Sequence, residues 1–198
     1  MTHPLVTQLR FARSEFVRCL EGVSDEDARH RVKPMNCLSW MVGHLAAHEQ
    51  YHLVFFSGGD VPHPHLNQLV GLGQPASTPP LEDMWKAWHD ITAAADLFLD
   101  AFTAEDMQIY SEREIKQDTK LLEASQFWIP SKDELERALA DKKVREGENN
   151  GTKILRITYH YFFHTGEAHA VRSLLGHPDL PWFIGDMPHD LFIEGGVN

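Results

Sequence analysis

Four stretches of this 198-residue chain repeat their apolar residues at the three-to-four spacing of an α-helix, and almost nothing in it alternates as a strand does. A helix with one apolar stripe must bury that stripe against a neighbour, so four long ones imply an all-α bundle. The first helix is expected over about 4–20, opening at Pro4 and carrying Leu5, Leu9, Ala12, Phe16 and Leu20, with Gly22 as its stop. Ser24 and Asp27 then form a capping pair for one short further turn. The second helix, over about 36–56, is expected to start at Asn36 and carries Leu38, Met41, Leu45, His48, His52 and Phe55. The third, over about 81–102, carries Trp85, Trp88, Thr92, Ala95 and Leu99. The fourth, over about 153–175, carries Ile154, Ile157, Tyr161, His164, Ala168, Val171 and Leu175, and Gly176 and Pro178 end it.

The segments between are less regular. Residues 57–80 are rich in Gly and Pro and predict a long loop. Residues 104–151 mix a charged run with an apolar one, and the Ser131/Glu134 capping box predicts an extra polar helix over 131–144. The tail 177–198 is apolar and aromatic and is expected to pack back onto the bundle or onto a partner. The length suits a single domain, 1–198, with one core.

Charge and cysteine content narrow the function. A net charge of −11 argues against a nucleic-acid partner, whose phosphates need Lys and Arg. No apolar run reaches the roughly 20 residues of a membrane span, and the N-terminus has no apolar core of a secretory signal. With only Cys19 and Cys37, a disulfide framework is not expected and a reducing cytoplasm is. Cys37 lies seven residues before His44, about two helical turns or roughly 10 Å away, so it is read as a buried structural thiol. Trp40, Trp85 and Trp88 are read as core, and His63 and His65 as loop surface.

The unusual feature is the 13 histidines, because imidazole is the commonest metal ligand. His160 and His164 stand four apart on the fourth helix, within about 40° of each other and one turn apart, so both can reach one ion. Glu167 follows on nearly the same side and is a candidate base, or the acceptor behind a ligand. His44 and His48 form a second such pair on the second helix. One of them with His160 and His164 makes three nitrogens, and three ligands plus water leave the open position that catalysis needs. Three imidazoles suit zinc, nickel, copper or iron.

The segment NCLSWMVGHLAAHEQYHL resembles the second helix of the DinB/YfiT-like proteins, with its W-x-x-x-H-L-A core. ITYHYFFHTGEAHAVRSLLGH resembles their last helix, with its H-x-x-x-H-x-G-Q/E pattern, and the tail LPWFIGDM resembles an ending found in some members. The resemblance covers about 5–103 and 152–188, and 104–151 stands outside it. It implies an up-down-down-up four-helix bundle, often a homodimer, with nickel or zinc on three histidines. Carried over by motif, those are His44, in its G-H-L-A context and so ahead of His48, with His160 and His164. The family more often has Gln where Glu167 stands here. Some relatives are transferases or isomerases that use low-molecular-weight thiols such as mycothiol or bacillithiol. The expectation is therefore a metalloenzyme acting on a small molecule, as a thiol-dependent S-transferase or a metal-assisted hydrolase. The alternative is a non-catalytic stress-response or binding protein with a structural metal.

Overall fold

The computed structural model describes residues 2–114, 140 and 143–181. These are mostly helical. Helix α1 spans Pro4–Cys19, with His3 as its cap and Pro4 in the first turn. Gly22, at φ +75°, turns the chain into α2, Asp25–Arg29, which Ser24 caps by accepting from the Asp27 amide at 3.1 Å. Helix α3 spans Leu38–Glu49, and all twelve of its residues are buried. The chain then winds on as a π-helix over Gln50–Phe55. Helices α4, Leu66–Val70, and α5, Leu81–Leu99, follow. After a 3₁₀ turn at Asp106–Gln108, strand β1, Tyr110–Glu114, pairs antiparallel with β2, Lys143–Asn149. Helix α6, Asn150–Leu174, carries the chain back through the molecule.

The four long helices fall where the apolar stripes predict them, with corrections at the edges. The second begins at Leu38 with Cys37, not Asn36, as its cap, and its last six residues are π-helical. The loop 57–80 contains α4. The fourth starts three residues early, because Asn149 caps it by accepting from the Thr152 amide at 2.8 Å and Gly151 sits in the unstrained first turn. The insertion 104–151 contributes a strand pair where none is expected. Lys143 and Val144, the end of the predicted polar helix, lie in β2; residues 131–139 of that helix, and the tail beyond 181, lie outside the described residues.

Helix α1 packs along α6 and α3 along α5, while α3 also faces α6. Leu9 and Phe16 of α1, Met41 and Leu45 of α3, Ile91 and Leu99 of α5, and Ile154 and Ile157 of α6 are fully buried between them. Truncating one such side chain to Ala typically costs about 2–5 kcal/mol. This core is not wholly apolar. Glu49, at the end of α3, accepts from Arg13 of α1 and from the Tyr161 hydroxyl of α6 at 2.8 Å. Tyr161 in turn accepts from Trp88 Nε1 of α5 at 2.8 Å, so one polar network ties all four long helices together. No helix among the described residues is long and apolar enough to cross a membrane.

Candidate metal centre

Helices α3 and α6 face each other across a row of imidazoles. The ligating atoms of His44, His160 and His164 all lie within 4.8 Å of one another. His160 Nε2 and His164 Nε2 are 3.0 Å apart. Ligand atoms held at about 2.0–2.1 Å on a tetrahedral ion stand about 3.3 Å apart, so the α6 pair is already near that spacing, and the His44 nitrogen lies within 4.8 Å of both. The i, i+4 spacing that suggested the α6 pair works because both side chains leave the same side of a continuous helix.

The outer nitrogens are disposed of in a way that favours metal binding. His44 Nδ1 is 2.9 Å from the carbonyl of Val70, the last residue of α4. A carbonyl only accepts, so the proton sits on Nδ1 and Nε2 keeps its lone pair. His164 Nδ1 is 2.8 Å from Glu167 Oε2, which fixes the same tautomer in a second ring. His160 Nδ1 is buried with no hydrogen-bond partner among the described residues. Burial, with His164 nearby, pushes the His44 pKa down to about 4; burial, with His164 and His44 nearby, pushes that of His160 down to about 2. Both rings are therefore neutral near pH 7, the form that coordinates metal. Neutral His44 and His160 converge with His164, and the outer Nδ1 atoms of His44 and His164 each face an acceptor, an arrangement that fits a divalent cation.

The surroundings are aromatic. Trp40 stacks on His44, with ring centroids 4.4 Å apart. Phe163 stands edge-on to His164 at 5.1 Å yet is 68% exposed, so the centre lies just below the surface. Glu167 sits at that rim, its side chain 22% exposed.

Other sequence candidates fall elsewhere. His48 touches the His160 ring, with centroids 4.3 Å apart, but among the described residues it joins no group of three ligating atoms. His52 continues the row at 4.5 Å from His48. Cys37 is buried against Ser39 Oγ and the Ser77 carbonyl. His63 pairs with Asp90 at 2.9 Å, away from the row. Trp88 is buried in the core, whereas Trp85, edge-on to it, is only half-buried and lines a surface cavity. Sequence reasoning missed the Val70 carbonyl, since a backbone acceptor has no residue signature, and the Trp40 stack, whose only signal is its i, i+4 spacing from His44.

A family model described as Mycothiol-S-transferase matches residues 4–129. That stretch holds α1 to α5 and His44, and ends before the helix that carries His160 and His164. No curated protein matches the chain.

Proposed function

The chain belongs to the Mycothiol-S-transferase family, a DinB/YfiT-like family, and from that premise we propose that it is a metal-dependent S-transferase acting on a low-molecular-weight thiol such as mycothiol. In this reading the four long helices are the up-down-down-up bundle of that family, as one domain. His44, His160 and His164 hold a divalent cation, zinc or nickel by donor chemistry. The observation that carries the reading is the convergence of three imidazoles from two helices, with the tautomers of two set by Val70 and Glu167.

The chemistry a bound divalent ion supplies there is Lewis acidity, which favours the thiolate over the thiol at neutral pH. The chain's own groups do the rest. Val70 and Trp40 hold the His44 ring in place. Glu167 orients His164 through Oε2, and its other carboxylate oxygen, at the rim, takes the proton of the incoming thiol. The sulfur, now carrying the electron pair, forms a bond to an electrophilic carbon of the second substrate as the bond from that carbon to its leaving group breaks, and the leaving group departs with that bonding pair. Exposed Tyr159 and Phe163, one turn apart on α6, offer that substrate an apolar rest.

The test is His160→Ala. The variant is expected to keep its helical circular dichroism, to lose bound metal by elemental analysis, and to lose transfer of mycothiol to an electrophile. One ion per chain retained in that variant overturns the ligand assignment. Wild-type transfer that survives complete removal of metal overturns the role of the ion.

A further inference from the structure

We propose that Glu49, clamped between Arg13 and Tyr161, is a positioning residue that fixes the register of α3 against α6 and so selects His44, rather than His48, as the α3 member of the centre. This rests on the metal reading above.

The need for such a device follows from the sequence of α3 and the π-helix after it. His44, His48 and His52 recur every four residues, so they form one stripe along the side that faces α6. Sliding α3 along α6 by about one turn, roughly 5–6 Å, would bring the next histidine of the stripe opposite the same pair. The histidines therefore cannot define their own register. The rest of α3, whose twelve residues are all buried and mostly apolar, resists such a slip through side-chain fit, a constraint that has no directional bond of its own.

Glu49 supplies what the apolar surface lacks. It is fully buried, it is the last residue of α3 before the π-helix, and it follows His48 directly. Its partner Tyr161, fully buried as well, follows His160 directly on α6. The 2.8 Å Tyr161–Glu49 bond thus links the two helices one residue away from facing histidines. Arg13 Nε reaches Glu49 Oε2 at 3.2 Å, Nη2 binds Oε1, and Nη1 reaches Asp96 of α5 at 2.8 Å. Hydrogen bonds are lost within about 1 Å of stretch, so a slip of one turn breaks this set outright. Removing one partner of a buried charged pair leaves the other unsatisfied, and an apolar replacement would often be as stable, so a buried pair kept here is better explained by specificity than by stability.

The experiment titrates the full chain with Co(II), reading the visible ligand-field spectrum and the affinity, in wild type, Tyr161→Phe and Glu49→Gln, each with and without His48→Ala. In the wild-type background His48→Ala is expected to change affinity by less than about threefold, because His44 serves. Tyr161→Phe is expected to weaken Co(II) binding about tenfold, as if an orienting partner of His44 had been lost, and to alter the spectrum. In that background His48→Ala is expected to weaken binding further, by at least about threefold, since His48 now shares the site. If Glu49→Gln fails to fold, Tyr161→Phe, which removes one hydroxyl from an intact ring, carries the test. An equal effect of His48→Ala in both backgrounds overturns the positioning role while leaving the metal centre standing. A wild-type chain that takes up no Co(II) overturns the metal reading and the register role with it.

Discussion

Gly43→Ala sets two terms of opposite sign against each other beside the centre. Gly43 lies inside α3, next to His44, where glycine costs about 1 kcal/mol of helix propensity relative to Ala. On propensity alone the substitution stabilises. A Cβ at this position, however, would fall on Met84 Sδ and lie 3.0 Å from Val70 Cγ1 and 3.4 Å from Val70 Cγ2. Carbon atoms in contact sit about 3.5–4.0 Å apart, so Val70 must retreat by about 0.5–1 Å and the Met84 thioether must leave its place. Overpacking of this kind costs about 1–3 kcal/mol, which outweighs the propensity gain. The net expectation is a loss of about 1 kcal/mol, or about 2–4 °C in Tm for a chain of this size. Val70 is also the residue whose carbonyl holds His44, so zinc affinity should fall about tenfold in the same variant. Gly166→Ala is the matched control. Gly166 is interior to α6, exposed, and its added Cβ would meet nothing within 4 Å, so Tm should rise with zinc affinity unchanged. Thermal melts of the metal-free proteins and competition with a chromophoric chelator read both quantities. A Tm of Gly43→Ala raised like that of Gly166→Ala would refute the argument that close approach, and not chance, keeps glycine beside His44.

Glu167→Gln keeps an acceptor beside His164 Nδ1 but removes the charge, and zinc affinity is expected to fall about tenfold by chelator competition; an unchanged affinity would mean the carboxylate does not serve His164. His44→Ala is expected to abolish stoichiometric metal by elemental analysis while His48→Ala retains it, and the reverse outcome would exchange their roles. The metal-free protein should weaken in acid. His44 has a pKa of about 4 when folded against 6.5 ordinarily, so between those values the unfolded chain binds a proton that the folded chain excludes. Stability from this group is fully present above pH 6.5 and is lost as pH falls toward 4; urea midpoints flat across that window in wild type would contradict the burial of a neutral ring.

The four long helices were legible because each must bury a stripe, and a stripe is a local, periodic signal. The π-helix at Gln50–Phe55 was not, since QYHLVF reads as a plain continuation and the change of winding is decided by what the segment packs against. The strands escaped notice for a similar reason. YSERE and KVREGEN carry little apolar alternation, and they are strands because each supplies the other's backbone partners. At the centre, spacing announced His160 and His164 but could not choose between His44 and His48, which share one face. The G-H-L-A resemblance made that choice, and the geometry groups His44 with the α6 pair. The Arg13–Glu49–Tyr161 network left no local trace, because its members come from three helices far apart in sequence.

The strand pair has a consequence for how this chain tolerates change. Residue 110 pairs with residue 149 and Glu114 with Lys143, so the two ends of the intervening segment are held side by side at one point. Below that point Asn150 donates to the Asp106 carbonyl at 2.9 Å and Lys153 donates to Ser111 Oγ at 2.9 Å, which fastens the stem to the start of α6. Lengthening a closed segment costs only about 0.6 kcal/mol per doubling once its ends are held. The two strands thus hold the ends of that segment together at Glu114 and Lys143, so a change in the length of chain between them is expected to put little strain on His160, ten residues past Asn150.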